Sequence, residues 1–159
     1  MAALALRRHP LLARQCADGI HIGIAVDTDR GLLVPVVRNV QDLPLTDAAR
    51  RSRELIDSAR QHKLQSEDLE GGVFSISNLG ALGVEAFTPV IHYPEVAIPG
   101  LGAIRWEPAV LPSGHIVARE QMTLSLTFDH RLVDGAPAAR FLADIAGLLE
   151  EPPAEVYCP

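Results

Sequence analysis

Met122-Thr123-Leu124-Ser125-Leu126-Thr127-Phe128-Asp129-His130-Arg131-Leu132-Val133-Asp134-Gly135 is the stretch on which the reading of this chain turns. Its first seven residues alternate apolar and polar, the period of a strand with one face buried. From Ala136 the period changes. Ala138, Phe141, Leu142, Ile145 and Leu148 or Leu149 share one face of a helix over residues 136–150, and Pro152-Pro153 stops it. Between the two elements a short polar turn presents His130. Residues at such a junction can face a cleft while the packed strand and helix hold them rigid. A thiol is a weak nucleophile until deprotonated, and a neutral imidazole, titrating near pH ~6.5, is a suitable base for it. Spacing alone leaves two roles open for each polar residue. His130 is either that base or a hydrogen-bonded structural residue, the commoner fate of a lone histidine. Asp134 is either part of a site or the cap of the following helix. Asp129 and Arg131 read as turn charges.

Working outward, residues 2–8 form the end of a helix that His9-Pro10 stops. Ile20, Ile22, Ile24 and Val26 alternate with His21, Gly23 and Ala25 as a strand. Asp29-Arg30-Gly31 turns the chain into a second β-rich run over residues 32–38, where Pro35 implies an edge or a bulge. Residues 46–62 are helical, with Ala48, Ala49, Leu55, Ile56 and Ala59 inward and Arg50 spaced to pair with Glu54. Residues 73–77 are a short strand between Gly71-Gly72 and the loop Asn78-Leu79-Gly80-Ala81-Leu82-Gly83. That loop has too few glycines, wrongly spaced, to cradle phosphate, so close backbone approach is the expected reason for Gly80 and Gly83. Residues 84–91 and 96–104 are extended, and Pro112-Ser113-Gly114 turns a further hairpin. Strands interleaved with a few helices imply an α/β fold, a two-layer sandwich with a mixed sheet.

Composition narrows the function classes. A formal charge of −6 argues against nucleic acid or an anionic membrane as partner, since both need clustered positive charge. The longest uncharged run, residues 71–84, is too short and too rich in Gly, Ser and Asn to span a bilayer. A cytoplasmic protein is expected, with Cys16 and Cys158 as idle thiols. His9, His21, His62, His92 and His115 are scattered without ligand spacing, so no metal site is expected.

The run Asp129-His130-Arg131-Leu132-Val133-Asp134-Gly135 resembles the His-x-x-x-Asp-Gly motif of the dihydrolipoyl acyltransferases of 2-oxoacid dehydrogenase complexes. Three other blocks are similar to that family in the same order. They are Ile22-Gly23-Ile24-Ala25-Val26-Asp27-Thr28 with Gly31-Leu32-Leu33-Val34-Pro35-Val36-Val37, then Gly71-Gly72-Val73-Phe74-Ser75-Ile76-Ser77-Asn78-Leu79-Gly80, then Pro94-Glu95-Val96-Ala97-Ile98. The resemblance runs from about His9 to about Pro152. It implies a chloramphenicol-acetyltransferase-like, coenzyme-A-dependent acyltransferase fold, present in part. His130 would be the general base and Ser77 the donor to the oxyanion. Asp134 would support the site through an arginine. Coenzyme A would be a substrate, and a lipoyl group would arrive on a separate domain.

Residues 1–159 would then be one catalytic domain without the N-terminal strands and helix of the family's domain, and without a lipoyl or subunit-binding domain. The implied assembly is a homotrimer or larger, meeting lipoyl domains and other components of a dehydrogenase complex. Glu155-Val156-Tyr157-Cys158-Pro159 replaces the Leu-rich end that joins trimers in relatives, which argues against a cage. The succinyl-transferring branch tends to carry Thr where Ser77 stands, so acetyl or branched-chain acyl groups are expected. The alternative is a catalytically impaired structural core or interaction module of the same family.

Overall fold

The computed structural model describes residues 1–13 and 19–157; Cys16 and Cys158 lie outside the described residues. In chain order the elements are α1 (Ala2–Arg8), β1 (Ile22–Ile24), β2 (Val26–Thr28), β3 (Gly31–Leu33), β4 (Val36–Val37), α2 (Leu45–Arg60), β5 (Phe74–Asn78), β6 (Ala97–Leu101), β7 (Arg105–Val110), β8 (Ile116–Gln121), β9 (Leu124–Phe128) and α3 (Gly135–Glu150). Five strands form one mixed sheet in the order β4-β1-β5-β6-β9. The two central pairings, β1–β5 and β5–β6, are parallel, and the two outer ones are antiparallel. The expected α/β sandwich with a mixed sheet is what forms.

The alternation that marked β9 sorts its side chains. Leu124, Leu126 and Phe128 pack toward the helices, as do Phe74 and Ile76 on β5. Helix α3 lays Ala138, Phe141, Ile145 and Leu148 on this face, and α1 adds Ala3, Ala5 and Leu6. Leu148 is the buried member of its pair, Leu149 remaining 43% exposed. At the centre Phe74 and Phe141, both fully buried, meet edge to face with centroids 5.6 Å apart. Helix α1 ends at Arg8, as His9-Pro10 implied, and Arg8 Nη1 bonds Asp144 Oδ1 of α3 at 2.8 Å.

The polar members of the same alternation point to the opposite face. Residues 84–91, expected to be extended, cross that face without joining a ladder. Side chains of β9 hold them instead. Ser125 donates to the Phe87 carbonyl and Thr127 to the Pro89 carbonyl, each at 2.6 Å. Pro89 has no N–H to offer a ladder.

The first hairpin folds in two stages. Strands β2 and β3 pair with each other, while β1 and β4 pair within the main sheet, β4 at its edge. Pro35 sits at the break, its carbonyl accepting from Ile24 N–H at 2.9 Å, so a proline at an edge and a bend is what the structure shows. On α2 the expected Arg50–Glu54 pair forms at 3.0 Å. Ala49, expected inward, is exposed; the half-buried stripe runs through Ala48, Ser52, Leu55 and Ile56 to buried Ala59. Ala49 lies at the rim of that stripe, about 20° beyond Ile56 and about 100° from Ala48.

Candidate active site

The turn carrying His130 is built by its neighbour Asp129. The Asp129 amide donates to the Val96 carbonyl at 2.8 Å, extending the β6–β9 ladder one step past Phe128. Its own carbonyl accepts from the amides of Leu132 (3.0 Å) and Val133 (3.1 Å), which bends the chain toward α3. Its carboxylate clasps Arg131, receiving Nη2 at 2.6 Å, Nε at 3.0 Å and the backbone N–H at 2.9 Å. These Arg131 hydrogen bonds hold the Asp129 carboxyl down at about 2, so it is ionised throughout the neutral range. Asp129 and Arg131 are therefore more than turn charges: they neutralise each other and fix the loop.

Inside that loop His130 is exposed, with its ring tilted against Phe128 at a centroid distance of 5.4 Å. Among the described residues no other residue hydrogen-bonds to its ring. The structural reading of a lone histidine needs such a partner, and the described residues supply none there. Val133, three residues on, is buried and anchors the turn in the core.

Asp134 stands at the backbone N-cap of α3 with extended geometry (φ −82°, ψ 161°), yet its carboxylate makes no capping bond. The expected cap is thus only half formed, and the sequence contains the reason. The third residue of the helix, a usual target of a capping oxygen, is Pro137, which has no N–H. The exposed carboxylate is left without a described partner, and the nearby Arg131 is already held by Asp129. The arginine implied for Asp134 is not supplied by the described residues.

Ser77 lies elsewhere, half-buried near the C-terminal end of β5 on the face opposite the helices. After it, Asn78 Oδ1 accepts from Gly80 N–H at 2.9 Å and opens the glycine loop. A Cβ on Gly80 would lie 2.5 Å from the Gly102 carbonyl oxygen, so close backbone approach explains that glycine. Gly83 has open space around it and is required for its φ of +77° instead.

The register shows how far apart the two residues are. Ser77 pairs with Gly100, and Gly100 with Ser125, so Ser77 is level with Ser125, five residues before His130. Five steps of ~3.3 Å along the strands and two strand spacings of ~4.8 Å put their Cα positions about 19 Å apart. The His130 ring rests against Phe128, which packs on the helix face, whereas Ser77 is on the other face. Within one chain His130 and Ser77 do not share a site.

One buried group was not singled out by the reading of the sequence. Glu95, just before β6, has a side chain only 2% exposed, and its Oε1 receives the hydroxyl of fully buried Ser75 at 2.7 Å. His92 Nδ1 lies 3.6 Å from the same oxygen. Burial pushes the Glu95 carboxyl above its ordinary value, opposed by the Ser75 hydrogen bond and by His92. The available signal was a glutamate beside the apolar run Val96-Ala97-Ile98, where a charge needs a partner.

A mixed sheet packed against helices, with a His-x-x-x-Asp-Gly turn at a strand–helix junction, places the chain in an acyltransferase catalytic-domain family. More narrowly, the chain belongs to the family described as 2-oxoacid dehydrogenases acyltransferase (catalytic domain), which matches residues 1–156. The dihydrolipoyllysine-residue acetyltransferase component of the acetoin cleaving system of Bacillus subtilis is 44% identical over 160 residues, covering 96% of this chain and 40% of that protein. The lipoamide acyltransferase component of the branched-chain alpha-keto acid dehydrogenase complex of Pseudomonas aeruginosa is 45% identical over 133 residues, covering 84% and 31%. A structure of Azotobacter vinelandii dihydrolipoamide acetyltransferase superposes with a TM-score of 0.87 at 37% identity, covering 94% of this chain and 65% of that one. It comes from a study of a serine, a histidine and an asparagine in the catalytic mechanism of that enzyme. The chain spans well under half the length of the two curated relatives.

Proposed function

We propose that this chain transfers an acyl group, acetyl or branched-chain, between dihydrolipoamide and coenzyme A. The observation that carries the reading is the presentation of His130: exposed, rigidly held by the Asp129 clasp, and with no described residue bonded to its ring. The A. vinelandii study supports the choice of residues. Its histidine and asparagine are four positions apart, like His130 and Asp134, and its serine and histidine are 52 apart, against 53 between Ser77 and His130.

In the proposed reaction His130 takes the proton of the coenzyme A thiol. The thiolate attacks the carbonyl carbon of the acyl-dihydrolipoamide thioester, and the carbonyl oxygen becomes an oxyanion. The Ser77 hydroxyl donates to that oxygen; a preorganised donor of this kind is often the largest catalytic contribution. Collapse breaks the bond to the dihydrolipoamide sulfur, which recovers the proton from the imidazolium. Asp134, with its carboxylate unspent on α3, is assigned to holding the site through a cation from outside the described residues.

Because His130 and Ser77 stand about 19 Å apart in one chain, the site is completed across subunits, His130 from one and Ser77 from its neighbour. A homotrimer is the proposed competent unit, served by lipoyl domains and partner enzymes of a 2-oxoacid dehydrogenase complex. The cytoplasm is the compartment this reading assigns; no described helix is long and apolar enough to cross a membrane. The deciding experiment is a coupled assay with acetyl-coenzyme A and dihydrolipoamide. Turnover is expected, and His130→Ala lowers it by roughly 10²–10⁴ with little change in KM. A folded His130→Ala chain with near-parental turnover overturns the mechanism. A folded, assembled parent without turnover points instead to a structural core.

A further inference from the structure

Three of the four blocks that marked the family meet at one buried hydrogen bond. Ser75, from the Gly71–Gly80 block, donates to Oε1 of Glu95, from the Pro94–Ile98 block, at 2.7 Å. Gly23, from the first block, is the register partner of Ser75 on β1, and a Cβ there would lie 2.5 Å from the Ser75 hydroxyl. A Cβ on Gly72 would come within 3.3 Å of Glu95 Oε1. The two glycines are therefore the space in which this pair sits. Glu95 Oε2 is buried and has no partner among the described residues. A buried carboxylate costs stability unless it is bonded, so a reason for keeping it here is required.

The ladder supplies that reason. On its β1 side, β5 is registered from Phe74 to Ile76 and tied by the Ala25 amide to the Ile76 carbonyl at 2.9 Å. On its β6 side the register begins only at Ser77↔Gly100 and Asn78↔Leu101. The residue of β6 just before Gly100 is Pro99, which has no N–H to give. Below Ser77, the Ser75–Glu95 bond joins β5 to the start of β6 where no ladder does. Ser75 and Ser77 lie two residues apart on one strand, hence on the same face.

We propose that the Ser75–Glu95 pair is a positioning device for Ser77, setting the place of the C-terminal end of β5 against β6 and so the place of the Ser77 hydroxyl. This rests on Ser77 being the oxyanion donor. Glu95 touches no reacting atom and acts through β5.

The test uses the whole chain in its assembled form. Ser75→Ala and Glu95→Leu are expected to lower kcat about tenfold, a modest share of what a misplacement of 1 Å can cost, while KM for coenzyme A stays within about twofold. Glu95→Gln keeps an acceptor for Ser75 and restores most of the turnover. The decisive readout is coupling: in a Ser77→Ala background, Ser75→Ala should cost nothing further, because there is no hydroxyl left to position. An equal loss in both backgrounds overturns the positioning role, as does a normal Ser75→Ala beside an impaired Ser77→Ala. A fully active Ser77→Ala sinks the oxyanion reading instead, which is a separate result. Amide exchange decides the matter without turnover. Ser75→Ala should speed exchange at Ile76, Ser77 and Asn78 about tenfold relative to residues 124–128. Acceleration across the whole sheet, or none, refutes the proposal.

Discussion

A mixture of two inactive variants should regain activity. His130→Ala removes the proposed base and Ser77→Ala the proposed oxyanion donor, and each alone inactivates a trimer made of a single variant. The magnitude follows from the register, which puts the two residues about 19 Å apart in one chain, whereas a base and an oxyanion donor must both lie ~3 Å from the reacting group. In the proposed trimer each site therefore draws its histidine from one chain and its serine from the next around the ring. In a 1:1 mixture refolded together, a site is intact when the histidine donor carries Ser77→Ala and the serine donor carries His130→Ala. In a randomly assembled cyclic trimer this arises at about one site in four, so about a quarter of parental turnover is expected. A second mixture separates the models again. Parent refolded 1:1 with the double variant keeps about half its activity if each site lies within one chain, and about a quarter if each site is shared. Steady-state kcat with acetyl-coenzyme A and dihydrolipoamide reads both mixtures, with subunit exchange verified by mass. A silent first mixture of exchanged trimers, beside an active parent, refutes the shared site, and so does an active monomer in sedimentation.

Phe141→Ala empties the centre of the α3–sheet interface, where Phe141 is fully buried against Phe74; a loss of about 3–5 kcal/mol is expected in denaturant titration. Asp134→Ala should melt like the parent, since the carboxylate caps nothing, and lose turnover; a marked fall in Tm would return Asp134 to a structural role. Glu95 has a folded value raised above its ordinary one, chiefly by burial, so its contribution is full below about pH 4.3 and declines as pH rises through the folded value. Glu95→Gln lacks that decline, and its Tm relative to the parent should rise between pH 4 and 8; a flat difference would show that Glu95 titrates normally.

Element type was legible where one period ran unbroken. β9 and α3 announce themselves through clean alternation followed by a helical stripe, and His130 falls on the turn between them. Finer assignments failed where the deciding contact comes from elsewhere in the chain. Whether Leu148 or Leu149 is inward depends on how α3 sits over Phe74, 74 positions before Leu148. Ala49 has the composition of a buried helix position but lies at the rim of the packed face, just beyond Ile56, where it is exposed. Residues 84–91 have the composition of a strand, yet they are held by hydroxyls from β9 at a sequence separation of 38.

The site shows the same division between local and distant causes, with one instructive exception. Asp134 followed by Gly135, Ala136 and Pro137 already contained the information that the cap would be incomplete, because a proline at the third helical position withdraws one of the amides a capping oxygen needs. That is a local fact, and it leaves the aspartate free for another use. The Ser75–Glu95 pair is the opposite case. Its partners are 20 residues apart, and the space that admits them is made by Gly23 and Gly72, which no periodicity connects. A buried carboxylate needs its partner within hydrogen-bonding distance, and such proximity is a property of sheet register. Only once β1, β5 and the start of β6 are placed side by side does the glutamate beside an apolar run acquire a reason to be there.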